Sequence, residues 1–268
     1  MTYTQEQIDH IEQEYYKNLH GLQQLMMDTV VAGQSSSHER VREHLMHGVS
    51  RRIKVMEKSI RNIFQQFPLE TVRPLSNEIL SDVQINLHAF MINLYGIFDN
   101  WAWAFVFKHN LLQEIGDRKN VGLFNQIAKR YLPEPLKDYV SKDSIKNWHD
   151  SYLKSFRDAL AHRIPLYIPP AEFTYEDGAK YNELEAKKME LIKSHDWGQL
   201  EELEKKQANI GNPSFCFLHS YNADEASIPI LLHPQLLSDS ASVVEFGNLF
   251  LEHWNNRAYP IIPTKLCC

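Results

Sequence analysis

The chain has 268 residues, 43% of them hydrophobic and 23% charged. That profile excludes disordered and low-complexity classes and is ample for a packed core. The formal charge of -6 excludes a protein that coats nucleic acid non-specifically, so any RNA contact must come from a local patch. Three cysteines are too few for a disulfide framework, and a reducing cytoplasm is the expected location.

The opening MTYTQEQIDHIEQEYY is polar and acidic, unlike a signal peptide. Residues 4–32 carry Ile8, Ile11, Tyr15, Leu19, Leu22, Leu25 and Met26 at helical spacing. A turn is expected at 33–37, with Ser37 capping a second helix from about His38 to Phe64. Phe67-Pro68 ends it. Ser76 reads as the cap of a third helix, Asn77 to about Leu112, apolar on nearly every side through Phe90, Leu94, Ile97, Phe98, Trp101 and Phe105. Such a helix belongs at the centre of a bundle. The stretch Val83 to Phe107 contains Gln84, Asn86, His88, Asn93, Asp99 and Asn100, so it reads as a buried helix and not as a membrane span.

A shorter helix is expected over Asn120 to Tyr131, and a turn over Pro135 to Val140. Ser144 is expected to cap a helix from Ile145 to His162, with Leu153, Phe156 and Leu160 inward and Pro165 stopping it. The segment Ile164 to Pro170 should be extended. From Glu172 to Gln207 there are ten acidic residues against six lysines, which predicts one or two exposed helices broken near Trp197-Gly198. Phe215 to Leu218 and Ile228 to Leu232 read as short strands, closed by His233-Pro234. A last helix is expected from Ser242 to Asn255. The fold class is therefore mainly α: a four- or five-helix bundle with a charged helical arm and a small β-hairpin. The expected organisation is a bundle over 1–170, an arm over 171–210, and strands plus closing helix over 211–268.

No P-loop, dinucleotide fingerprint, G-x-S-x-G elbow or C-x-x-C pair appears, so no nucleotide cofactor is expected. The terminal Cys267-Cys268 resembles a prenylation end in form, but nothing else fits a prenylated GTPase. His44 and His47 are three apart and could bind a metal with His88 or His109, but no stronger metal spacing supports them. His219 and His233 flank the strands without an evident mechanism. Trp101, Trp103, Phe105 and Phe107 alternate, which on a helix spreads them around the axis and favours packing over base stacking.

The stretch Ser155 to Pro170 raises a more specific possibility. Arg157 and His162 lie five residues apart near a helix end, about 140° apart around the axis. RNA cleavage without metal needs a base for the 2′-OH, an acid for the 5′-oxygen and a cation for the charge on phosphorus. Histidine suits the first two roles and arginine the third. One pair supplies too few groups, so such chemistry favours a symmetric homodimer. From Arg118 to Pro165 there are ten Lys or Arg against five Asp or Glu. Lys129, Arg130, Lys146, Lys154 and Arg163 could line an RNA backbone groove, or simply form a solvated face.

Arg157-Asp158-Ala159-Leu160-Ala161-His162 resembles the signature of the HEPN superfamily: an arginine, a polar neighbour and a histidine five positions on. The resemblance is best over 76–165. It implies a helical bundle, metal-independent endoribonuclease activity of a toxin or phage-defence kind, a homodimer, and no cofactor. Arg157 and His162 would be catalytic, Asp158 would orient the site, and Asp99 or Asn100 would give polar support. Arg42 to His47 fits the same spacing, and the stop at Pro165 comes earlier than in many HEPN proteins. Two plainer readings stand beside this one. In the first, Arg157 pairs with Asp158 and His162 caps its helix. In the second, the bundle is a non-catalytic interaction module.

Overall fold

The computed structural model describes residues 2–218 and 228–258. His219, Cys267 and Cys268 lie outside the described residues. The protein is mainly α: five long helical rods form a bundle, joined by a charged helical arm and a two-stranded antiparallel sheet.

The first rod is α1 (Gln5–Ser35). Thr4 opens it with a capping box: Thr4 Oγ1 accepts from the Gln7 amide, and Gln7 Oε1 accepts from the Thr4 amide. The helix runs through Gly33 to Ser35, into the expected turn. The second rod joins α2 (Glu39–Arg42), a π turn (Glu43–Val49) and α3 (Ser50–Gln66). Its N-cap is His38, not Ser37, and makes no side-chain cap bond. Ser50 Oγ donates to the Leu45 carbonyl at 3.1 Å, occupying an acceptor in the wider turn.

The central rod, α4 (Asn77–Lys108), begins where Ser76 Oγ accepts from the Ile79 amide. Its fully buried Trp101 packs on Phe246, with ring centroids 5.0 Å apart. Asn120 to Tyr131 is not a helix. Two Asx caps divide it: Asp117 serves a 3-10 turn (Arg118–Asn120), and Asn125 serves the single turn α6 (Gln126–Lys129). The one-turn α5 (Leu112–Ile115) precedes them, and α7 (Glu134–Ser141) follows.

The fourth rod joins α8 (Asp143–Asn147), a second π turn (Trp148–Leu153) and α9 (Lys154–His162). It starts before the expected Ser144 cap, at Asp143, and stops three residues before Pro165. The extended segment after it pairs Tyr167 with Leu218 and Glu172 with Asn212. The arm is α10 (Tyr175–Ser194) and α11 (Trp197–Gln207). The break falls at His195, whose φ of 56° ends α10 in the left-handed region. No α10 residue is buried.

Strands β1 (Cys216–Phe217) and β2 (Ile230–Leu231) pair antiparallel, Cys216 with Leu231 and Phe217 with Ile230. Both are shorter than expected; β2 stops at Leu231 because α12 (Leu232–His253) begins at Leu232, ten residues before the expected start. Pro234 lies in the first turn, where a missing N–H leaves no intrahelical bond unmade. α12 packs along α1 and against α4 and α7. No helix among the described residues is long and apolar enough to cross a membrane.

Candidate active site along the central helix

Arg157 reaches from α9 onto α4. Its Nη2 donates to Tyr95 Oη at 3.2 Å, and its guanidinium carbon lies 4.5 Å from the Tyr95 ring centroid. Its Nη1 is 3.1 Å from Asp158 Oδ1, with both side chains about one-third exposed. Asp99, one turn beyond Tyr95, is exposed as a residue. Burial of its carboxyl raises its pKa, against the pull of Arg52 and Arg157.

A second arginine enters the same strip from α3. Arg52 Nε donates to Asn100 Oδ1 at 2.7 Å and Nη1 to Asn93 Oδ1 at 3.2 Å. Two glycines permit this closeness. A Cβ at Gly96 would stand 2.5 Å from the Arg52 guanidinium, and one at Gly48 would stand 2.6 Å from the Asn100 amide. Asn100, expected alongside Asp99 as polar support for the Arg157 site, therefore holds Arg52. Asn100 Nδ2 also donates to His44 Nδ1 at 3.4 Å. His44 stacks on Trp103 and Phe107, both half-buried, while Trp101 and Phe105 are core residues.

The second π turn supplies a residue that sequence reasoning missed. The His149 ring lies between Phe124, 3.7 Å away at 12°, and Tyr95, 5.6 Å away at 22°. Its Nδ1 is 2.9 Å from Asp150 Oδ1, and because a carboxylate only accepts, Nδ1 carries the proton. Burial lowers the His149 pKa; Asp150 opposes the shift, and Lys154 and Arg157 add to it. Behind the turn, the fully buried Asp239 of α12 accepts from Trp148 Nε1, Gln235 Nε2 and Tyr152 Oη, each at 2.9 Å. Eight α-helical steps from 149 to 157 leave about 80° between the two positions. That shared side was the available signal.

The structure brings Arg157, Asp158 and Asp99 together, but not His162. That histidine is exposed past the end of the α9 stripe, with no hydrogen bond, ion pair or ring contact among the described residues. Lys146, Lys154 and Arg163 are also exposed. In the second copy of the spacing, Arg42 Nη1 is engaged by the carbonyls of Ser36 and Ser37, at 3.0 and 3.2 Å, and so holds the α1–α2 connection. The histidines weighed for metal do not gather. His88 and His109 donate to the carbonyls of Leu166 and Trp254, and His47 accepts from Arg51. Among the described residues no three His, Cys, Asp or Glu side chains cluster as for a metal ion. His233 is a core residue: Nε2 donates to the Phe67 carbonyl at 2.8 Å, and burial lowers its pKa to about 4.

No family model, curated protein or solved structure matches this chain.

Proposed function

We propose that the chain is a metal-independent endoribonuclease of HEPN type, acting as a homodimer on RNA in the cytoplasm. Arg157 binds the phosphodiester, Asp158 orients it, and His162 is the histidine that the signature designates. Lys146, Lys154 and Arg163 add backbone contacts. One observation carries the reading. Arg157 does not point into solvent; Tyr95 and Asp158 hold it on a partly open strip beside Asp99. A cation fixed in this way suits a phosphate that gains charge during reaction.

The test is incubation of purified protein with RNA in EDTA. Cleavage to 2′,3′-cyclic phosphate and 5′-hydroxyl ends is expected, together with its loss in Arg157→Gln. A second reading, a non-catalytic interaction module, draws support from the engagement of both Arg157 terminal nitrogens by Tyr95 and Asp158 and from the isolation of His162. Equal inactivity of wild type and variant at high protein concentration supports that reading and sinks the nuclease.

A further inference from the structure

We propose that His149 is the base of this RNA cleavage and that Asp150 is its positioning residue; the inference rests on the nuclease reading above. Metal-free cleavage needs more proton-handling groups than one Arg–His pair supplies, and His162 touches neither Arg157 nor Tyr95. His149 shares Tyr95 with Arg157. One face contact of that ring is the imidazole at 5.6 Å, another is the guanidinium at 4.5 Å, and its hydroxyl accepts from Arg157.

Three constraints fix the imidazole. Phe124 and Tyr95 hold its plane. Asp150 accepts the hydrogen bond from Nδ1–H, which leaves the Nε2 lone pair without a protein partner among the described residues. The turn beneath it is anchored at both Trp148 and Tyr152 by Asp239. Single π turns inside α-helices recur at functional sites because they re-aim side chains, and this one aims an Asp-held histidine at the strip. Burial favours the neutral ring, so the lone pair is available near neutral pH.

In the step, Nε2 takes the proton of the ribose 2′-OH and the O2′–P bond forms. The P–O5′ bond breaks, and the 5′-oxygen takes a proton from water. The imidazolium returns its proton to the hydroxide left behind. Asp150 supports the transient imidazolium, and Arg157 faces the extra charge on phosphorus.

The experiment compares wild type, His149→Phe and Arg157→Gln on single-stranded RNA in EDTA. Phenylalanine keeps a ring in the stack but removes both nitrogens. A loss of about 100-fold or more is expected for His149→Phe, with an unchanged circular dichroism spectrum. If the Phe variant does not fold, His149→Ala replaces it, and added imidazole should restore cleavage. Full activity of His149→Phe alongside an inactive Arg157→Gln overturns the role of His149 and leaves the nuclease reading standing, as does a His149→Ala that imidazole fails to rescue. A wild type inactive on RNA overturns both.

Discussion

Asp239 and His233 should oppose each other in the pH dependence of stability, and a single substitution should expose it. Asp239 is wholly buried, and burial raises its pKa from 3.8 to about 6, although three donors pull it down. An acid whose folded pKa lies above its unfolded value favours the folded state when protonated. Its contribution is therefore lost as pH rises from 3.8 through about 6. The gap corresponds to about 3 kcal/mol at 1.36 kcal/mol for each pH unit. His233 does the reverse. With its pKa lowered from 6.5 to about 4, its contribution is present above 6.5 and lost as pH falls to about 4, again by about 3 kcal/mol. Across the shared window the two slopes cancel. Asp239→Asn keeps the shape of the carboxyl: the amide oxygen can accept from Trp148 and Gln235, and the amide nitrogen can donate to Tyr152 Oη. It does not titrate. Urea unfolding, followed by tryptophan fluorescence at pH values from 4 to 7.5, should show a gentle profile for wild type. The variant should lose stability on acidification, so that the difference between the two proteins changes by about 3 kcal/mol. Parallel profiles would refute the assignment.

Two glycines give a paired test. A Cβ at Gly96 or at Gly247 would each stand 2.5 Å from a neighbour, but the neighbours differ. At Gly96 it is the end of Arg52, which can move, and alanine is the better helix former by about 1 kcal/mol. Gly96→Ala should therefore shift unfolding free energy by no more than about 1 kcal/mol. At Gly247 the neighbour is Leu25, fully buried between α1 and α12. Gly247→Ala should destabilise by about 1–3 kcal/mol in the same urea assay. The arm should be dispensable for folding: Glu172 and Asn212 already pair at its base. Replacing residues 175–209 with a short Gly-Ser turn should leave the melting temperature within a few degrees and remove helical signal in proportion.

Local rules carried the rods whose ends have side-chain or proline signals. Ser76 and the stop before Pro165 are examples, and the apolar periodicity of α4 placed it correctly at the centre. Where the decisive partner was distant in sequence, the reading failed. Pro234 looked like a terminator because only the fold shows it in a first helical turn. Asn120 to Tyr131 looked helical because Asp117 and Asn125 act as caps through local hydrogen bonds that periodicity does not register. At the candidate site, only the proximity of Arg157, Asp158 and Asp99 was legible, from the signature and from the polar pair on α4. For His149 the sequence offered only a helix side shared with Arg157, since its setting comes from Tyr95 on another rod and from a π turn that no residue type announces. The Arg52 seat depends on glycines at 48 and 96 in two different rods, a pairing visible only once they pack.

The seam between α1 and α12 joins segments that are distant in sequence, Gln5–Ser35 and Leu232–His253. While the ribosome is still working, Leu22 and Leu25 lack their final neighbours, and this part of the assembly must be completed late. Nascent chains stalled before α12 should be sticky, slow to mature and readily captured by chaperones.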